Sequence, residues 1–297
     1  MTPPAATIAQ LATVERIPAS DDPFGAIAPD GLAPDALKRF VWDSLRAETA
    51  AAADSERILA SFLYATVISH DRFEEALGFH LASKLASPTV HSITMRDLFC
   101  QAYRDDTTLA EASAADLHAV RTRDAACRGY SQPFLYFKGW QALQVHRVAH
   151  HLWTCGRESL ALHLQSRVSE VFAVDIHPGA RFGRGIMIDH GTGVVIGETA
   201  VVEDDVSMMH GVTLGGTGKH GSDRHPKVRR GSLIGVGAKI LGNIEIGEGA
   251  FVGGGAVVLK AVGPHTTVIG IPAKPVGKPR CDKPSMEMDQ DFAGEGI

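Results

Sequence analysis

The sequence predicts an α+β chain, with an N-terminal α-helical domain followed by a parallel β-helix of hexapeptide repeats. Two periods predict it. Up to about residue 170, apolar residues return at three- and four-residue steps, as on an amphipathic helix. From Ile176 onward they return every six residues, a period that neither a lone helix nor a lone strand produces. The 31 glycines against 6% aromatics agree with a turn-rich architecture.

The helical domain is expected over residues 36–170, preceded by a Pro/Ala-rich disordered extension over 1–35. Its amphipathic stretches are "ALKRFVWDSLRAE", "SERILASFLYATVIS", "DRFEEALGFHLASKL" and one long run from Leu135 through "LALHLQSRVSE". The third places Phe73, Ala76, Leu77, His80, Leu81 and Leu85 on one face, and Asp71 with Glu74 resembles a capping box at its start. "ACRGYSQPFL" breaks the helical period with Gly129 and Pro133, so a bend belongs there. The elements should pack as a bundle.

The β-helix is expected over 171–278, with an inserted loop at about 215–227 and a flexible tail over 279–297. Its lead positions are Ile176, Phe182, Ile188 and Val194, then after a two-residue slip Ile196, Val202, Met208 and Leu214. After an eight-residue insertion follow Val228, Ile234, Ile240, Ile246, Val252 and Val258. Four residues behind most leads stands a small or β-branched residue: Ala180, Thr192, Ala200, Val206, Val212, Ser232, Ala238, Ala250 or Ala256. Each hexad supplies a short strand and a corner, three hexads close a triangular coil, and coils stack at about 4.8 Å. Leads and small residues face inward.

Composition narrows the function. A net charge of -5 leaves no basic excess for nucleic acid. Cys100, Cys127, Cys155 and Cys281 are scattered, without a C-x-x-C pair, which fits a reduced cytoplasmic setting better than a disulfide framework. No run approaches the roughly 18 apolar residues of a membrane span, and the acidic N-terminal stretch lacks the pattern of a signal or transit peptide.

A solenoid needs no ligand to exist, so polar chemistry on it asks for a reason. "VDIHPGARFGRGIMIDHGTG" carries Asp175, His177, Asp189 and His190, and the insertion "GGTGKHGSDRHPK" carries Lys219, Arg224 and His225. Among 14 histidines, most are structural by default, and His80, His91, His118, His150, His151, His163 and His220 are read so. His190 differs because an aspartate precedes it and glycines open the backbone around it. His225 differs because it sits beside Arg224 on a long loop carried by a rigid scaffold.

The run "DIHPGARFGRGIMIDHGTGVVIGETAVVEDDV" with "GVTLGGTGKHGSDRHPKV" resembles the serine O-acetyltransferases, as do "RDAACRGYSQPFLYFKGWQALQVHRVAHHLW" and the terminal isoleucine. The resemblance implies a left-handed coil and acetyl transfer from acetyl-CoA to the hydroxyl of L-serine, the first step towards cysteine. It implies His190 as general base with Asp175 as its partner. Asp189 and Asp124 would bind the serine ammonium, and Arg224 and His225 its carboxylate. CoA would lie along the coils near Gly216, Thr217, Val236 and Gly254, with no permanently bound cofactor and no metal. Two positions depart from the family pattern: Val236, where alanine is expected, and Ala125, where proline follows the aspartate. In an ideal 18-residue coil Asp175 would stack under Gly193, about 10 Å from the register of His190.

The resemblance further implies trimers that pair into hexamers, with active sites between subunits. L-cysteine would act as feedback inhibitor in the serine pocket, and the Ile297 carboxylate would enter O-acetylserine sulfhydrylase. Three other functions fit the pattern: another hexapeptide acyltransferase acting on a sugar or antibiotic hydroxyl, a zinc hydrolyase using His177, His190 and His210, and a scaffold without catalysis.

Overall fold

The computed structural model describes residues 27–29, 31–218 and 221–290. Most of the expected N-terminal extension, Lys219, His220 and the end of the tail with Ile297 therefore lie outside the described residues. The helices are α1 (Pro34–Ser55), α2 (Ala60–Leu63, running into a π-helical turn over Tyr64–Ile68), α3 (Phe73–Leu85), α4 (Ser92–Asp105), α5 (Thr108–Arg123), α6 (Ser131–Tyr136), α7 (Lys138–Thr154) and α8 (Glu158–Phe172). No helix among the described residues is long and apolar enough to cross a membrane.

The α3 face predicted from the sequence is buried in full. Its capping box does not form. The helix begins at Phe73 with Arg72 as N-cap, while the Asp71 carbonyl accepts from Trp42 Nε1 at 3.2 Å. The long run from Leu135 is three helices rather than one. Phe137 interrupts it first, then a turn at Cys155–Arg157, where Gly156 takes φ +75°. The bend at Gly129 is held by the buried Glu48 of α1, whose carboxylate accepts from the N–H groups of Tyr130 (3.0 Å) and Ser131 (2.7 Å). That carboxylate satisfies two donors at the start of α6.

Ala173, left-handed at φ +56°, turns α8 into the first coil. The strands are β1 (Val174–Ile176), β2 (Arg181–Phe182), β3 (Met187–Ile188), β4 (Val194–Ile196), β5 (Val201–Val202), β6 (Ser207–Met208), β7 (Thr213–Gly215), β8 (Lys227–Val228), β9 (Leu233–Ile234), β10 (Lys239–Leu241), β11 (Glu245–Ile246), β12 (Phe251–Val252), β13 (Val257–Val258), β14 (Thr267–Ile269) and β15 (Lys274–Gly277), followed by a short helix α9 (Pro284–Glu287). They form three sheets, β1-β4-β7-β10-β13, β11-β8-β5-β2 and β15-β14-β12-β9-β6-β3. All pairs are parallel except β14 with β15.

The leads stack on one another. Ile176 lies under Ile196, Phe182 under Val202, and Ile188 under Met208 and then Ile234. The insertion sits in a corner, so Val202 still meets Val228 and Leu214 still meets Ile240. Two details differ from the sequence reading. The slip falls at the corner Asp189–Gly193, before Val194, which itself stacks on Val174. Thr192 consequently points to solvent instead of the core, because the two extra residues carry it around the turn.

A buried ion pair joins the two halves. Asp116 of α5, fully inaccessible, accepts from Arg147 Nε (2.8 Å) and Gln144 Nε2 (3.1 Å) of α7 and from the Ile186 N–H of the coil (2.9 Å). Arg147 also donates to the Gly183 carbonyl at 2.6 Å. Nearby, Gly139 of α7 lies so close to the Ile188 carbonyl that a Cβ there would collide with backbone.

Candidate active site

The solenoid has three corners, and the polar residues singled out from the sequence fall on two of them. The first corner runs from β3 to β4. His190 takes φ +55° and Gly191 φ +74°, a left-handed pair that projects the imidazole away from the wall. Its side chain is 75% exposed, with Nε2 3.8 Å from Asp189 Oδ2, while Asp189 is 17% exposed. One coil up, His210 meets the His190 ring edge-on at 5.7 Å, and its buried Nδ1 has no hydrogen-bond partner among the described residues.

Asp124 belongs to this corner as well. It ends α5, with its N–H on the Val120 carbonyl (3.0 Å) and its Oδ1 accepting from the Ala126 N–H (2.8 Å). Burial raises the Asp189 carboxyl above its ordinary range, His190 opposes that rise, and the nearby Asp124 charge adds to it. Two carboxylates held together favour a cation between them. On acidification, Asp189 loses its charge earlier than a free carboxylate would.

The second corner carries Arg224 and His225 at the end of the insertion. Thr199 organises both: its hydroxyl oxygen accepts from the N–H groups of Arg224 (3.0 Å) and His225 (3.1 Å). The Thr199 N–H reaches His225 Nδ1 at 3.2 Å, so that nitrogen is an acceptor and the ring proton sits on Nε2. Burial, followed by the Arg224 charge, lowers the His225 pKa and keeps the ring neutral. The ring lies over Gly197, where any Cβ would collide with it. Arg224 Nη2 donates to Glu198 at 2.7 Å, a bond that pulls the Glu198 carboxyl down. Lys227 Nζ closes the loop through the Thr199 and His225 carbonyls (2.9 and 2.7 Å).

Asp175 sits between these corners, on the strand β1. Its register is 20 residues, opposite Val195, rather than the 18 of an ideal coil under Gly193. Gln165 Nε2 of α8 donates to its Oδ1 at 2.7 Å, and no hydrogen bond or ion pair joins it to His190 within the described residues. The expected CoA positions also divide: Val236 and Gly254 stack at the first corner, Gly216 and Thr217 lie exposed at the second. The Val236 side chain covers the space above Gly254, which alanine would leave open.

His177, the remaining imidazole of the zinc reading, stands at the second corner against Trp153, ring centroids 5.0 Å apart, away from His190 and His210. Sequence reasoning missed Glu198 and Thr199, and took up His210 only within the zinc reading. None breaks the hexad rule, and only the stacking of coils reveals what each touches.

A hexapeptide solenoid with imidazoles and carboxylates at its corners is the frame of the hexapeptide transferases, and a bacterial transferase hexapeptide model matches residues 225–260. The N-terminal domain model of serine acetyltransferase matches residues 41–145. The serine acetyltransferase of Salmonella typhimurium is 56% identical over 255 residues, which cover 86% of this chain and 93% of that protein. A solved serine acetyltransferase in complex with cysteine is 47% identical with a TM-score of 0.85, over 86% of this chain and 99% of the other. The coenzyme A complex of the Brucella abortus enzyme is 47% identical with a TM-score of 0.80, over 81% of this chain and 96% of that one. This chain belongs to the serine acetyltransferase family.

Proposed function

We propose that this chain transfers acetyl from acetyl-CoA to the hydroxyl of L-serine, releasing O-acetyl-L-serine and CoA. One observation carries the reading: Asp189 and Asp124 share one corner, while a guanidinium held by Glu198 and a neutral imidazole donor share another. An amino acid presents the opposite charges on its ammonium and carboxylate. Asp189 and Asp124 take the ammonium, and Arg224 with His225 the carboxylate, so the hydroxyl is held at a fixed place. The coenzyme A and cysteine complexes of relatives support both ligands, with cysteine competing for the serine pocket as feedback inhibitor.

His190 acts as general base. Its neutral imidazole takes the hydroxyl proton as the serine oxygen attacks the thioester carbonyl. The tetrahedral oxyanion then collapses, the C–S bond breaks, and the imidazolium returns its proton to the departing thiolate. Asp175 orients the ring and balances its charge; Gln165 fixes one of its oxygens for that task. Because the two halves of the clamp stand on different corners of one chain, the site closes between neighbouring subunits of a trimer. Exposed Ile58, Leu59, Phe62 and Tyr64 on the helical domain suit pairing of trimers into hexamers. The expected setting is the cytoplasm.

Thiol release from acetyl-CoA tests the acceptor. L-Serine supports turnover, whereas sugar and aminoglycoside hydroxyls leave the rate at background; a sugar accepted as well as serine would overturn the reading. The C-terminus is proposed to dock in O-acetylserine sulfhydrylase. Deleting Ile297 abolishes co-elution with that enzyme and leaves acetyl transfer unchanged; co-elution that survives the deletion rejects the tail contact.

A further inference from the structure

The segment Lys283–Met288 folds back onto the solenoid, and its Ser285 is fully buried. Ser285 Oγ donates to the Asp205 carbonyl at 2.5 Å, Ser207 Oγ donates to the Ser285 carbonyl at 2.8 Å, and the Ser285 N–H reaches the Gly231 carbonyl at 3.3 Å. Arg123, the last residue of α5, closes the circuit: Nη1 donates to Ser207 Oγ (3.1 Å) and Nη2 to Asp205 Oδ1 (3.4 Å). Four residues from three distant segments thus form one closed ring of hydrogen bonds.

We infer that Arg123 is a positioning residue for Asp124 and that the C-terminal segment, through Ser285, holds Arg123 in place. This rests on the reading of Asp124 as a ligand for the serine ammonium. The guanidinium is buried, its Nε has no hydrogen-bond partner among the described residues, and its side-chain counter-ion Asp205 is one-third exposed. Such a group is a poor source of stability, since an apolar side chain of similar volume would fill the place at no desolvation cost. It does fix a direction. Arg123 is followed at once by Asp124, which leaves α5 in an extended conformation with φ -92° and ψ 111°.

Positional control matters here because Asp189 is half-buried, burial raises its carboxyl first, and the charge of Asp124 adds to that rise. A loose helix end would let Asp124 swing away from its neighbour and from the substrate. The ring also grips the start of β6, two residues before the turn that carries His210 past His190. The segment Lys283–Met288 is thereby bonded to the start of β6 and tied through Ser207 and Asp205 to the end of α5.

Steady-state assays of full-length variants test this. Ser285→Ala raises the KM for serine about fivefold and Arg123→Lys about tenfold, while the KM for acetyl-CoA stays within about twofold. The double variant is no worse than Arg123→Lys alone, because both changes break one ring. In an Asp124→Asn background, Ser285→Ala adds nothing to the serine KM. Met286→Ala, whose side chain is exposed on α9, matches the wild type. If Ser285→Ala and Arg123→Lys lower Tm and leave the serine KM unchanged, the segment is a structural strap and the inference fails. If Asp124→Asn itself leaves the serine KM unchanged, the underlying reading of Asp124 fails, which separates the two outcomes.

Discussion

Replacing His190 with asparagine lowers kcat for acetyl transfer to serine by about 10²–10⁴-fold, the usual worth of a positioned general base. Asparagine is the informative substitution because position 190 sits at φ +55°, where it is tolerated and alanine adds backbone strain. The side chain is largely exposed and supports no core packing, so Tm should stay close to the wild type. The clamp residues are untouched, so KM for serine stays within about threefold. Thiol release measured under saturating acetyl-CoA reports kcat directly. A variant that keeps more than about a tenth of the wild-type rate would remove His190 from the role of base.

Asp116→Ala destabilises the fold by about 3–5 kcal/mol, read from urea unfolding. The carboxylate has no solvent access and serves Arg147, Gln144 and the Ile186 N–H at once. Alanine strands a buried guanidinium and a buried amide together, which is why the loss exceeds that of an ordinary hydrogen bond. Function should suffer as well. Ile186 leads into β3, which opens directly onto Asp189 and His190, and α7 presses on the Ile188 carbonyl through Gly139. Serine turnover in Asp116→Ala therefore falls at temperatures where the protein is still folded. A loss below about 1 kcal/mol would mean that the helical domain and the solenoid are not joined through this pair.

The two periods made most of the architecture legible. The lead residues had to face inward, because a solenoid with a polar lead could not stack, and apart from Val194 they stack from Ile176 to Val258 as read. Period alone could not locate the slip. Val194 fits a hexad counted from Ile188 as well as a position above Val174, and only the pairing chooses. The helical domain showed its faces but not its ends. Arg72 replaced the anticipated Asp71 cap, since the Asp71 carbonyl serves Trp42 across 29 positions of sequence. In the candidate site, His190 and Arg224 stood out because they break the expectation of an inert wall. Thr199 and Glu198 did not, because "IGETAV" reads as an ordinary corner until the insertion folds over it.

The last strand has a meaning for growth. A stack of identical coils presents the same open rim at every level, and such a rim can recruit another chain to lengthen it without limit. Here β15 reverses direction against β14 and places Pro275 in the ladder, with Lys274 at its start and Lys278 just beyond its end. Proline offers no N–H to a newcomer, and two charges discourage its approach. On this face of the prism the stack ends at a terminator written into the chain, while β13 and β11 remain the outer strands of the other two sheets.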